Sequence, residues 1–277
     1  ISILLFWPLC AALRLGWIMS RDEVVRTIKL EEECRLKLYG STFIGTRAYQ
    51  QDRMFMHEGS NMSVAAVCDG MGGMDSGERA SQLAVDMLRD LPQLEEAEDI
   101  RRFLYDEAAK INEKVADFTD DNGVPIESGS TIVMTVVKGD KLYIMSAGDS
   151  RIYLIHDDKF MRLTRDHNYR MRLDERLRLG MIDMDTYMLE EARAEALISF
   201  LGIGSSILID TNSEPIELTY GDRIILCSDG LYKGIDDDAI EHIVMENQMY
   251  VEGLADKLIE EALFHSPSGM DNTTVIV

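Results

Sequence analysis

Short apolar runs that stop at a single aspartate recur along this chain, and they constrain its fold more than any other feature. The clearest is Val64–Cys68, an unbroken apolar run ended by Asp69 and followed by Gly70-Met71-Gly72-Gly73. A run that is short and apolar at both alternating sets of positions suits a strand buried on both faces. Asp69 would then project past the sheet end, and Gly70, Gly72 and Gly73 would let the backbone take positive φ and approach a small ion. A lone Asp-Gly is more simply an ordinary turn. Recurrence decides between the two. Asp52 precedes Met54-Phe55-Met56, Asp149 follows Leu142–Ser146, Asp229 follows Ile224–Cys227, and Asp271 stands before Thr273–Val277.

Between these points the pattern alternates between strands and helices. Leu36, Leu38 and Tyr39 alternate as an edge strand would. Asp75 with Glu78 reads as a helix cap and capping box, and Ala80, Leu83, Ala84, Met87, Leu88 and Leu91 form a helical stripe ended near Pro92. A second helix is expected over roughly 97–118, with Ile100, Leu104, Ala108, Ile111 and Val115 on one face. Both stripes are core rather than chemistry. Ile132–Val137, a Gly139-Asp140 turn, Leu142–Ser146, Ile152–Ile155, an Asp157-Asp158 turn and Phe160–Leu163 make a meander of antiparallel strands. Residues 169–196 read as a helical insertion closed by Gly180, with Asp183 or Asp185 capping its second helix; no element is assigned to 197–209. Helices are expected near Asp237–Glu246 and Val251–Phe264.

The chain has 277 residues, 46% hydrophobic and 28% charged, enough for a full core, and a formal net charge of −22. That charge excludes a phosphate-backbone-binding surface, which needs a basic stripe, so no nucleic-acid partner is expected. Most of the acidic residues are solvated surface, while a few clustered carboxylates could hold divalent cations. Cys10, Cys34, Cys68 and Cys227 show no paired spacing. Cys68 should face away from Asp69, and the four thiols favour a reducing, cytoplasmic setting. Residues 1–18 are apolar apart from Arg14 and contain Pro8, whereas Met19 offers a natural start. Residues 1–28 therefore read as an N-terminal extension, whose apolar 1–18 are an upstream segment or a fragment of something truncated; a membrane anchor within 1–18 is the alternative. The last strand stops at Val277, as a clipped C-terminus would.

Asp52, Asp69, Asp149, Asp229 and Asp271 share one signature. Buried carboxylates are costly unless neutralised, and several in one cleft repel each other unless cations lie between them. Oxygen-only ligation selects Mg²⁺ or Mn²⁺ over Zn²⁺. Two such ions can acidify a shared water for in-line attack on phosphorus, and Arg47 offers a planar fork for phosphate oxygens. No serine or cysteine sits in a nucleophile–base arrangement, so attack by water is expected.

Seven segments stand in one order: Arg47-x-x-Gln50-Gln51-Asp52, Val67-Cys68-Asp69-Gly70-Met71-Gly72-Gly73, Ser128-Gly129-Ser130-Thr131, Gly148-Asp149-Ser150-Arg151, Leu163-Thr164-Arg165-Asp166-His167, Cys227-Ser228-Asp229-Gly230-Leu231 and Asp271-Asn272-Thr273-Thr274. In this order they resemble the metal-dependent (type 2C) Ser/Thr protein phosphatases, bacterial members in particular, over roughly 38–277. The resemblance implies an α+β, four-layer αββα sandwich, two central antiparallel sheets flanked by helices, within a phosphatase domain spanning 29–277 whose helical flap is 169–196. It implies a monomer that hydrolyses phosphoserine and phosphothreonine on signalling proteins, substrates of a Ser/Thr kinase, with two Mn²⁺ or Mg²⁺ ions. Carried over, Asp69 bridges the ions, Gly70 ligates one through its carbonyl, and Asp229 and Asp271 complete the ligands. Asp52 holds ion-bound waters, Arg47 binds the substrate phosphate, Gln51 lies behind the ligands, and Asp149 belongs to a third metal site. Three positions depart from the pattern. Gln51 stands where many members have Glu, Met71 where the animal enzymes have histidine, and Lys233 where an aspartate usually supports the third ion. These departures are the only support for a second reading, a pseudophosphatase that binds phosphoproteins without turnover. A structural domain whose aspartates merely cap turns leaves the seven ordered segments unexplained.

Overall fold

Turn chemistry sets most of the strand order. Gly139 (φ 65°) closes β5 (Ile132–Lys138) onto β6 (Lys141–Ala147), and Asp157 and Asp158, with φ of 50° and 58°, close β7 (Arg151–His156) onto β8 (Lys159–Arg162). Two consecutive positive-φ residues match the right-handed twist of a tight hairpin, and Asp is among the few side chains that tolerate them. These details come from a computed structural model that describes residues 36–73, 76–89, 94, 97–120, 122–247 and 251–277. The expected 1–28 extension with its apolar 1–18, Cys10, Cys34, the Asp75 cap and the Pro92 stop lie outside the described residues. Among the described residues no helix is long and apolar enough to cross a membrane.

Leu38–Val277 forms one compact unit. The other strands are β1 (Gly40–Phe43), β2 (Asp52–Glu58), β3 (Met62–Gly72), β4 (Ser128–Ser130), β9 (Asp210–Thr211), β10 (Ile216–Glu217), β11 (Arg223–Cys227) and β12 (Thr273–Ile276). They form two sheets, β1-β12-β11-β7-β8 and β10-β6-β5-β3-β2, with β4 paired to β3 and β9 to β6. Every pairing is antiparallel. The helices are α1 (Ser76–Arg89), α2 (Ile100–Ala116), α3 (Tyr169–Arg178), α4 (Met184–Glu190), α5 (Asp229–Gly234), α6 (Asp237–Glu246) and α7 (Leu254–His265).

Strand alternation sorts the core into layers. Val64, Ala66 and Cys68 of β3 pack with Ala80, Ala84 and Leu88 of α1 and Leu104, Ala108 and Ile111 of α2. Ile225 and Cys227 of β11, with Val275 of β12, pack with Leu231, Ile240, Leu258 and Ile259 from α5, α6 and α7. The intervening residues (Ala65, Val67, Ile152, Leu154, Leu226 and Ile276) are equally buried but belong to neither helix-side core. They face the space between the sheets, where β3 and β5 touch β11 and β12 touches β2 and β3. The expected αββα sandwich is present.

Two local readings need correction, and one unassigned segment takes form. The edge strand read at Leu36–Tyr39 begins at Gly40, because its register is fixed by β12: Gly40 lies opposite Ile276, and Tyr39 and Val277 exchange backbone hydrogen bonds at the end of that ladder. Asp229 opens a six-residue helix rather than merely ending a strand. The apolar segment 197–209 forms a loop with one 3-10 turn (Gly204–Ser206), fastened by side chains. Ser199 Oγ bonds both Leu208 N (2.7 Å) and Leu208 O (3.1 Å). From α2, Asn112 accepts from Gly202 N and donates to Gly204 O, each at 2.9 Å.

Candidate functional site

In an antiparallel sandwich the end of one strand and the start of its neighbour share an edge, so separated sequence motifs converge without any long reach. Asp52 opens β2 and lies directly opposite Asp69 near the end of β3. Asp69 shares strand parity with Ala65 and Val67 and therefore faces the space between the sheets, while Cys68 is buried on the helix side. Asp149 lies between the end of β6 and the start of β7, Asp229 follows β11, and Asp271 precedes β12. Asp69 stands in the electrostatic field of the other four; burial first, and then Asp52, Asp229, Asp149 and Asp271 in turn, push its carboxyl well above the ordinary range. All five expected aspartates thus meet at one end of the sandwich.

The other motifs build the frame around them. Ser228 Oγ donates to Asp52 Oδ2 (2.7 Å) and accepts from Thr274 N (2.9 Å), tying the Asp229 and Asp271 strands to Asp52. Thr131 Oγ1 accepts from Asp69 N (3.1 Å) and shares a hydrogen bond with Ser150 Oγ (2.7 Å). The Ser-Gly-Ser-Thr and Gly-Asp-Ser-Arg segments therefore position Asp69 and Asp149 from behind. Buried His167 accepts from Gly148 N at Nδ1 (3.2 Å) and meets Asp210 Oδ2 at Nε2 (3.0 Å), fastening the loop that carries Asp149.

Glycine has a reason at two places the sequence did not separate. A Cβ at Gly70 would lie 2.2 Å from Gly77 O, and one at Gly77 would lie 2.6 Å from the Gln51 amide, so the start of α1 rests directly on the Asp69-Gly70 turn. Gln51 packs there, and its carbonyl accepts from Gly70 N (3.1 Å) and Ser81 Oγ (2.5 Å). Of Gly70, Gly72 and Gly73 only Gly72 takes positive φ (141°), and Gly73 has open space around it.

Sequence reasoning gave Asn272 no role, yet its side chain holds the whole 44–51 loop. It donates to Ile44 O (2.8 Å) and Tyr49 O (3.0 Å) and accepts from Gln51 N (2.7 Å). That loop carries Arg47, whose guanidinium bonds Asp271 Oδ2 at 2.6 Å while remaining largely exposed at the mouth. Asp271 is the first cause holding Arg47 more firmly in its charged form. Lys233, one turn after Asp229, bonds Asp229 Oδ2.

Two oxygens have no such partner. Asp52 Oδ1 and Asp229 Oδ1 are buried and make no hydrogen bond among the described residues. Burial pushes the Asp52 carboxyl up to about 7, against the hydrogen bonds from Ser228 and Thr274. Burial, then Asp229, pushes Asp149 up to about 6, with Lys233 opposing. Orphaned carboxylate oxygens in an all-oxygen cluster fit a hard divalent cation. Among the described residues no three acidic, imidazole or thiol side chains close into a ready-made metal cage.

The protein phosphatase 2C family model matches residues 34–186. The serine/threonine phosphatase stp of Listeria welshimeri is 31% identical over 221 residues, 78% of this chain and 84% of that protein. The serine/threonine protein phosphatase PstP of Mycobacterium tuberculosis is 29% identical over 235 residues, 83% of this chain and 42% of that protein. A solved structure of the catalytic domain of PstP in complex with two manganese ions superposes with a TM-score of 0.67 at 28% identity, covering 87% of this chain and 96% of that one. PppA, a regulatory component of T6SS in Pseudomonas aeruginosa, superposes with a TM-score of 0.70 at 25% identity, covering 87% and 95%.

Proposed function

The chain belongs to the protein phosphatase 2C family, and from that premise we propose how its own residues remove phosphate from phosphoserine and phosphothreonine in proteins. One observation carries the proposal: five strand-end carboxylates crowd one partly buried corner, two of their oxygens are unpartnered, and a guanidinium stands at the mouth. Asp69, Asp229 and Asp271, with the Gly70 carbonyl, are the groups that would hold two divalent cations. The chemistry such ions supply when bound is a more acidic water for attack on phosphorus and neutralisation of the phosphoryl charge.

The chain's residues do the rest. Asp52 is fixed through Oδ2 by Ser228, which leaves Oδ1 to accept a hydrogen bond from water and hold it in line. Arg47 offers two parallel donors to phosphate oxygens and, once it leaves Asp271, orients the substrate at the mouth. Gln51 keeps α1 seated on the Asp69-Gly70 turn, a positioning role that needs no negative charge. Mn²⁺ and Mg²⁺ both suit the all-oxygen set. A monomer acting on kinase substrates in the cytoplasm is the setting we assign.

A binding-only reading gains nothing from the structure, since every carboxylate and Arg47 lies in the cluster and the relatives are named phosphatases. The test is turnover of a phosphothreonine peptide with Mn²⁺ and with EDTA, beside Asp229→Ala. Turnover that needs the metal and disappears in the variant supports the enzyme. Phosphopeptide binding without turnover overturns it.

A further inference from the structure

Lys233 has the least ordinary surroundings of any lysine described. An i,i+4 lysine–aspartate pair on a helix surface is usually a solvated contact of small consequence. Here the acceptor is different: the Asp229 side chain is only 14% exposed, its second oxygen is buried without a partner, and it belongs to the carboxylate cluster. Lys233 also lies in the field of Asp149 and Asp69. The helix that carries it is fixed against its neighbours, and the half-exposed Lys233 side chain lies back along it to the Asp229 carboxylate. Leu231 is fully buried, a Cβ at Gly230 would lie 2.2 Å from Thr273 Oγ1, and a Cβ at Gly234 would lie 2.8 Å from Ala262 Cβ of α7. Tyr232 is covered by the Arg151 guanidinium at 3.5 Å, and Arg151 is itself held by Asp166 (2.8 Å) and Asp237 (3.2 Å).

Charge balance gives this placement a meaning. Five ionised aspartates carry five negative charges. Two divalent cations and one ammonium balance them, leaving Arg47 for the phosphate. We propose that Lys233 is a tethered cation that holds the Asp149–Asp229 corner in place of a further divalent ion, so that this chain loads two ions and not three. The proposal rests on reading the cluster as a metal centre. Under it, Asp149 is a partner of the ammonium and Lys233 a positioning residue that acts through Asp229.

The test is Mn²⁺ stoichiometry and affinity of the full chain, read by calorimetry and by the electron paramagnetic resonance signal of free Mn²⁺. Wild type and Lys233→Arg should each bind two equivalents. Lys233→Asp should gain a third, and Lys233→Met, which removes the charge and keeps the stem, should bind its ions about tenfold more tightly. Three equivalents in the wild type would overturn the proposal. So would Lys233→Asp and Lys233→Met chains that fold yet match the wild type in both count and affinity. A wild-type chain that binds no Mn²⁺ would instead overturn the metal centre itself, which keeps the two failures apart.

Discussion

Without divalent cations this fold should weaken as the pH rises from about 4 towards neutrality, the reverse of what surface carboxylates paired with lysine or arginine produce. The Asp52 carboxyl lies at about 7 against an ordinary 3.8, chiefly because it is buried. A carboxyl whose folded pKa exceeds its unfolded value contributes most to stability below the unfolded value, and that contribution is lost as pH climbs towards the folded one. Asp52 moves by about three pH units, which at about 1.4 kcal/mol per unit is about 4 kcal/mol lost by the time the group is ionised. For a domain of this size that corresponds to roughly 8–16 °C in melting temperature. Asp149, raised to about 6, acts in the same direction over a lower window. Differential scanning fluorimetry in EDTA between about pH 4 and about pH 8 reads the effect. The melting temperature should fall across that range, Mn²⁺ should abolish most of the fall, and Asp52→Asn should flatten the EDTA curve. A melting temperature in EDTA that stays level or rises with pH would refute the reasoning.

Other perturbations separate the frame from the chemistry. Ser228→Ala leaves both Asp52 Oδ2 and Thr274 N without the hydroxyl that joins them, so urea denaturation should show a loss of about 1–3 kcal/mol. Gly70→Ala pushes a methyl into the start of α1 and should cost about 1–3 kcal/mol in the same assay. Gly73→Ala, with open space around it, should stay within about 0.5 kcal/mol. Arg47→Ala should raise KM for a phosphopeptide by at least about tenfold while leaving Mn²⁺ binding intact, because the guanidinium serves the phosphate; a KM that does not move would remove it from the substrate site.

What the sequence disclosed follows from the range of the interactions involved. Strands closed by tight turns were legible because Gly139 and the Asp157-Asp158 pair state their backbone conformation locally. Amphipathic α1 and α2 were legible from their 3.6-residue stripes, and β3 from its doubly apolar run. The five aspartates were found because each carries a local mark, an apolar strand beside a lone carboxylate. Their meeting at one end follows from the antiparallel order within each sheet together with the packing of one sheet on the other. The two-residue strands β9 and β10 and the three-residue β4 have no period to read. Helix α5 was hidden because six residues with two glycines look like the turn after a strand. The contacts that brace the site were out of reach for another reason. Asn272 to Ile44 spans 228 residues, Arg47 to Asp271 spans 224, and Ser228 to Asp52 spans 176, and nothing local in either partner announces the other.

The sequence departures also take physical form. The Gln51 side-chain amide packs against Gly77 at the start of α1. Lys233 reaches into the cluster and bonds Asp229, so a position that looked like a missing ligand holds a cation instead.

The most direct measurement is the anomalous scattering of manganese in crystals of the full chain grown with Mn²⁺. Two peaks are expected beside Asp69, in the corner formed with the Gly70 carbonyl, Asp229 and Asp271, and none between Asp149 and the Lys233 ammonium. Absence of any peak at Asp69 would contradict the claim that the five strand ends build one metal-dependent hydrolytic centre.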